Sequence, residues 1–251
     1  MRFFRKLIKS IDRFFRAFVF VILSIPYFFL IIVFPLIIGG LRGENLSERF
    51  CASWFRLMFW IFGIKLQLRK WSEIPNEKFI IFSNHLSFLD IPAVVLAFQG
   101  KKVKFLAKEE VLKYPVIGWG LKIQNHPIVK RGSEFSSVKS CIKTIERQDV
   151  DCLCIFPEGT RGRDARNILP FKDGISFLFD VMKKKLVPVF ISGTEKVFPV
   201  GSFIPSSGSI TVFVGEPITY QDFISENPKN RRKFISEIMR QKIVELSKKV
   251  H

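Results

Sequence analysis

From about residue 66 onward, short apolar runs alternate with longer amphipathic stretches. Seven runs have the length and alternation of strands: "KLQLR" at 65–69, "KFIIFSN" at 78–84, "KVKFLA" at 102–107, "HPIVK" at 126–130, "CLCIFP" at 152–157, "LVPVFIS" at 186–192 and "SITVFVGEPI" at 209–218. Helical spacing fills the gaps. In 133–147, Ser133 is a candidate cap, and Phe135, Val138, Ile142 and Ile145 recur at three and four; 174–184 and the basic stretch 230–249 follow. In "SFLDIPAVVLAF", Ser87 and Asp90 make a capping-box pattern that predicts a helix starting at Ser87. Strands interleaved with helices predict an α/β fold with a central, largely parallel or mixed sheet flanked by helices.

The first 65 residues follow another pattern. In "MRFFRKLIKSIDRFFR", Arg2, Arg5, Lys6, Lys9, Arg13 and Arg16 are set among Phe, Leu and Ile at helical spacing, as in helices that lie in a membrane interface. Ala17–Leu41 carries no charge and is long enough to cross a bilayer, which takes about 20 residues. It is too long for a cleaved signal core and contains Pro26 and Pro35. Flanking positive charge keeps the N-terminus cytoplasmic, so one simple span would carry the remainder outside. A second apolar segment, Phe50–Leu66, offers a return, and Pro26, Pro35 and Gly39–Gly40 are candidate breaks in the first. The expectation is a re-entrant or shallow two-helix membrane anchor over 1–65, with 66–251 as an α/β domain on the cytoplasmic face. A buried core hairpin is the alternative.

Composition narrows the class. Apolar residues make up 48% of the 251, and Phe outnumbers Tyr 29 to 3, so much of the aromatic surface has no polar handle. The formal charge of +18 attracts nucleic acid, anionic lipid or phosphorylated substrates. No nucleic-acid-binding signature is present, and the N-terminal stretch suits lipid better, so no nucleic acid partner is expected. Basic clusters at 101–104, 183–185 and 229–249 are expected to rest against membrane phospholipids. Cys51, Cys141, Cys152 and Cys154 form no CxxC pair, and Cys152 and Cys154 alternate as one face of a buried strand, which fits a reducing compartment. Three scattered histidines without HExxH give no expectation of a metal.

Two stretches bear chemistry. His85 follows an apolar strand, where open α/β sheets place their sites, and Asp90 lies within the next turn. A carboxylate on one imidazole nitrogen fixes the tautomer and leaves the other free to accept a proton, although helix capping also explains Asp90. "CIFPEGTRGRD" at 154–164 runs from strand through Pro157 into Glu158, Gly159, Thr160 and Arg161. Backbone amides and a hydroxyl beside a guanidinium suit a phosphate, with Glu158 orienting the arginine or accepting from a substrate hydroxyl; a surface salt bridge at a loop turn is the plainer reading.

Together these residues resemble the glycerolipid acyltransferase family, in particular the lysophosphatidate acyltransferases. Asn84, His85 and Asp90 match its NHxxxxD motif, and Phe156 to Arg161 match FPEGTR without a gap. "NHPIVKR" resembles its second motif, ending at Arg131; "LVPVFISGT", with Pro188, resembles the fourth; "AKEEVLKYPVIGW" places Lys108 in its Lys-x-Glu stretch. The resemblance spans about residues 50–220 in order. Asn125 stands where Gly is common, Lys130 replaces an acid, and Gly162 stands where Ser is frequent, departures that bear on headgroup preference. The resemblance implies transfer of a fatty acyl group from acyl-CoA or acyl carrier protein to the sn-2 hydroxyl of lysophosphatidate (1-acylglycerol 3-phosphate), without a cofactor. His85 would be the base and Asp90 its orienter. Arg131, Arg161 and Lys108 would bind phosphate in a pocket shaped by Glu158, Gly159 and Thr160. Another lysophospholipid or glycerol 3-phosphate as acceptor, and a non-catalytic membrane scaffold, stay as alternatives.

Overall fold

The computed structural model describes residues 2–130, 134–172, 174–223 and 228–249. The N-terminal quarter is helical: α1 (Arg2–Phe28), a π-helical turn (Phe29–Val33), α2 (Phe34–Ile38) and α3 (Gly40–Phe62). Pro26 lies inside α1 without ending it. The reversal comes instead at Gly39 and Gly40, both at positive φ (66° and 53°), where a side chain would be strained. α3 then returns along α1, and Gly43 lets it approach closely: a Cβ there would sit 2.3 Å from the Pro35 carbonyl oxygen. Polar contacts fix the pair. Ser47 donates to the Ile31 carbonyl of the π turn (2.8 Å), and Trp54 Nε1 donates to Ser24 Oγ (2.9 Å).

The sheet begins where α3 ends. β1 (Ile64–Lys70), β2 (Phe79–Ser83), α4 (Asp90–Ala97), β3 (Val103–Phe105), β4 (Ala107–Lys108), a 3-10 turn (Glu109–Lys113), α5 (Ile117–Ile123) and β5 (Ile128–Val129) come first. α6 (Glu134–Ile145), β6 (Cys152–Ile155), α7 (Gly174–Met182), β7 (Lys185–Ser192), α8 (Thr194–Val197), β8 (Gly208–Val214), a second 3-10 turn (Tyr220–Phe223) and α9 (Pro228–Lys248) complete the described elements. Six strands form one mixed sheet in the order β1-β8-β7-β2-β6-β3; β7 and β8 pair antiparallel and every other neighbour is parallel. β4 and β5 pair separately. The expected strand over 102–107 is therefore split, and the one over 126–130 is a short strand outside the main sheet.

Alternation along the strands builds a core on each face. Ile80, Phe82, Leu153, Ile155, Leu186 and Phe190 face α6, α7 and α9. Phe79, Ile81, Cys152, Cys154, Val187 and Val189 face the other way, against α4 and Met58, Phe59, Ile61 and Phe62 of α3. The second apolar segment is thus partly a core helix. Ala17 and Phe20 of α1 pack on this same cluster, so α1 and α9 lie on opposite faces of the sheet. The basic helix α9 therefore packs on the sheet face away from the N-terminal hairpin.

The expected cluster at 101–104 is corrected. Lys104 is fully buried and is held by Glu44 (2.6 Å) and Glu48 of α3 and by the Gln124 carbonyl. Lys102 pairs with Asp149 and with the same two glutamates, and Arg147 bonds Glu44 (2.8 Å) and Asp149 (2.9 Å). Asn125 also donates to Glu44 (2.7 Å). Burial disfavours the Glu44 charge, but hydrogen bonds from Arg147, Lys104 and Asn125 outweigh it and hold its carboxyl at about 2. These lysines anchor α3 to the body; they do not face lipid.

Candidate functional site

β2 lies between β6 and β7, parallel to both, so the loops leaving the carboxyl ends of all three strands emerge side by side. Open α/β sheets bind ligands in such a position. The loop after β2 carries His85, the loop after β6 carries Glu158 to Arg161, and β7 leads into Thr194.

The turn after β2 is pinned by Asn84. Its side chain donates to the Ile191 carbonyl (2.9 Å) and accepts from the Ile191 amide (2.8 Å), so this buried residue ties the turn to β7. His85 Nδ1 then donates to Asp90 Oδ2 at 2.7 Å. The same oxygen accepts the amides of Leu86 (2.6 Å) and Ser87 (2.8 Å), while Oδ1 accepts Thr194 Oγ1 (2.6 Å). Asp90 is wholly buried, and these four bonds supply what water would otherwise provide. With Nδ1 protonated, Nε2 is the accepting nitrogen of a side chain that is 19% exposed. The helix starts at Asp90 rather than Ser87, because the carboxylate of Asp90 is turned back onto the His85–Ser87 turn. Ser87 is used otherwise: its hydroxyl donates to the Phe198 carbonyl (2.7 Å).

His126 shows what a packing histidine looks like in the same molecule. Its Nδ1 accepts the Phe105 amide (2.9 Å), and burial, with Lys104 nearby, pushes it down to about 3, so it stays neutral.

The FPEGTR turn abuts His85. Phe156 stacks on the imidazole with ring centroids 4.2 Å apart. Glu158 points inward: Oε1 accepts the His85 amide (3.0 Å) and Oε2 the Leu169 amide (3.3 Å). It neither touches Arg161 nor lies open to a substrate, so its place is to clamp the two loops together. Burial, opposed by those two amides, pushes its carboxyl up to about 7. Gly159 turns the chain at φ 64°, and a Cβ there would meet Lys172 Cε at 2.8 Å. Lys108 Nζ donates to the Gly159 carbonyl, which brings the Lys-x-Glu stretch to this turn. Thr160 is exposed, and the Arg161 guanidinium lies over the exposed Phe88 ring at 4.1 Å. His85, Asp90, Glu158, Gly159, Thr160, Arg161 and Lys108 thus gather around one end of the sheet. Arg131 and Ser133 lie outside the described residues. Sequence reasoning missed Thr194, although it stands at the end of "LVPVFISGT"; a hydroxyl just beyond a buried strand was the available signal.

Comparison with known proteins bears on the fold and the family. A 1-acyl-sn-glycerol-3-phosphate acyltransferase of Limnanthes douglasii is 31% identical over 185 residues, 72% of this chain and 64% of that protein. One from Bacillus subtilis is 26% identical over 203 residues, covering 80% of this chain and 98% of the relative. The chain spans 44–64% of the length of the plant relatives from Arabidopsis thaliana and Limnanthes douglasii. The crystal structure of a 1-acyl-sn-glycerophosphate acyltransferase from Thermotoga maritima has the same fold, with a TM-score of 0.69 at 24% identity and 98% of both chains covered. The acyltransferase family model matches residues 65–192, which is just over half of the chain and includes the His85–Asp90 and Glu158–Arg161 turns. On that match the chain belongs to the acyltransferase family.

Proposed function

We propose that this protein transfers a fatty acyl group from a thioester, acyl-CoA or acyl carrier protein, to the free sn-2 hydroxyl of 1-acylglycerol 3-phosphate, giving phosphatidate. The observation that carries the reading is the His85–Asp90 pair, with one imidazole nitrogen occupied and the other accepting. In the proposed reaction His85 Nε2 takes the proton of the acceptor hydroxyl as its oxygen attacks the thioester carbonyl carbon. The tetrahedral intermediate collapses with cleavage of the C–S bond, and the departing thiolate recovers the proton from the imidazolium. Asp90 holds the tautomer and stabilises the charge that appears on the ring. Arg161, Lys108, Thr160 and Arg131 bind the acceptor phosphate, while Glu158 and Gly159 shape the turn that carries Thr160 and Arg161. The names of the relatives favour lysophosphatidate as acceptor.

We propose further that residues 1–65 supply a membrane-facing hairpin for the catalytic residues 66–251, held in one leaflet on the cytoplasmic face. The run Leu7–Ile38 is long and apolar enough to cross a membrane, and almost none of its most apolar stretch is buried. Both of its ends, however, are fastened to the same body. Arg16 donates to the Ile61 carbonyl (2.7 Å) near the start, and Glu44 is held by Arg147 and Lys104 just past the end. A helix that crossed the bilayer would put those ends on opposite faces. Val116, Ile117 and Trp119 are also exposed, and Trp119 meets Phe28 of α1, so the apolar surface continues onto the body. Substrates with acyl chains then reach the site without leaving the lipid.

The test is acyl transfer by purified protein in vesicles, offering lysophosphatidate, other lysophospholipids and glycerol 3-phosphate, each with acyl-CoA and with acyl carrier protein. Phosphatidate formed from lysophosphatidate in clear preference supports the reading, and the better donor identifies the thioester. Vesicle binding without transfer to any acceptor would favour a scaffold.

A further inference from the structure

Phe156, at the exit of β6, does no chemistry of its own, yet its ring stacks on the face of the imidazole. The two rings are 19° from parallel with centroids 4.2 Å apart. Asp90 grips the edge of the same imidazole at Nδ1. Behind Phe156 stands Phe105 of β3, nearly parallel at 14° and 6.4 Å, with its own amide fixed by His126. The strand register holds the pair: β3 and β6 pair with Phe105 opposite Cys154, two residues before Phe156. The imidazole is therefore held by a carboxylate in its plane and by an aromatic ring over its face.

We propose that Phe156 is a positioning residue that sets the plane of His85 and stabilises the imidazolium formed during proton transfer; the role rests on His85 acting as the base. The face of a phenyl ring carries negative potential and attracts a cation lying over it. Neutral imidazole gains mainly dispersion from the stack. Imidazolium, which exists only while the proton is on the ring, gains the electrostatic attraction as well. An interaction stronger in the transition state than in the ground state raises kcat and leaves KM alone.

The test varies the electron density of the ring at constant shape. Mono-, di- and trifluorophenylalanine are placed at position 156, and kcat and KM are measured for both substrates in vesicles, beside wild type, Phe156→Leu, Phe156→Tyr and His85→Ala. Each added fluorine is expected to lower kcat, to a total of about tenfold for three, with both KM values within about twofold of wild type. Phe156→Leu falls by a similar factor, and Phe156→Tyr, which keeps the ring face, stays within about threefold. A simple packing role predicts a flat fluorine series. A flat series beside an inactive His85→Ala overturns the role of Phe156 alone. Substantial turnover by His85→Ala overturns the base assignment, and the role of Phe156 with it.

Discussion

Arg161 reaches the solvent edge of the site over the ring of Phe88, a residue of the same short turn that holds His85. A guanidinium stacked on a ring keeps its edge N–H groups directed outward, the arrangement that suits a phosphate. The proposed base and the proposed phosphate ligand thus meet at one turn, through Phe88. Arg161→Ala should raise the acceptor KM by tenfold or more, the approximate worth of a charged hydrogen bond, with a smaller effect on kcat. Phe88→Leu should raise it about threefold with kcat unchanged, since an exposed cation–π contact contributes about 0.5–1 kcal/mol. Steady-state kinetics against acceptor concentration checks both. Glu158 gives a prediction of another kind. Burial has raised its carboxyl from 4.5 to about 7, so between those values the folded protein binds more protons than the unfolded chain. Stability is therefore expected to fall as pH rises from about 4.5 to 7. Glu158→Gln removes the titration, and melting curves across that range should be flatter for the variant than for wild type.

At the scale of elements, the joint between α3 and the body is the feature that packing alone would not supply. Glu44 reaches across to Lys104 of β3 and to Arg147 beyond α6, and its carboxyl is 2% exposed. Glu44→Ala leaves Lys104 fully buried with Glu48 as its remaining acid partner. Losing one charged hydrogen bond of such a buried cluster costs about 1.5–3 kcal/mol, which chemical denaturation in detergent would register. Because the Glu44 carboxyl sits at about 2 when folded, its contribution is present above pH 4.5 and is lost as pH falls toward 2. None of this joint was legible in the sequence. Its partners are about 60 and 100 residues apart, and a lysine beside a strand reads as surface charge until the fold brings an acid over it. Strands were legible because alternation repeats within five residues: β2 and β6 emerged where "FIIFS" and "CLCI" alternate between the two faces. The start of α4 was misplaced for a local reason. Asp90 looks like the acid of a capping box, and its carboxylate does reach the Ser87 amide, but His85 and Leu86 share the same oxygen, so the turn extends to Leu89 before the helix begins. His85 with Asp90 was legible as a pair because both lie on one turn; Thr194, which completes the shell, stands at the start of α8, 104 residues after Asp90.

For the whole molecule, one packed layer joins the hairpin to the His85–Asp90 turn. α3 contributes Met58, Phe59, Ile61 and Phe62 to the core on the α4 face, and α4 itself begins with Asp90. If the hairpin rests in the membrane interface as proposed, that layer sets the height of the turn above the lipid. Thiol labelling of single cysteines placed at positions 8 and 37 in sealed vesicles checks the topology. Both positions should be reached from the same side as a cysteine at exposed position 163; labelling of 8 and 37 from opposite sides would show a crossing helix.

Whether His85 is the base for acyl transfer is decided by the rate of phosphatidate formation by wild type and His85→Ala in the same vesicles. General-base assistance contributes about 10²–10⁴-fold, so the variant should retain 1% of the wild-type kcat or less while still binding vesicles and melting at a similar temperature. A His85→Ala protein that is folded, vesicle-bound and within about tenfold of wild type would contradict the account.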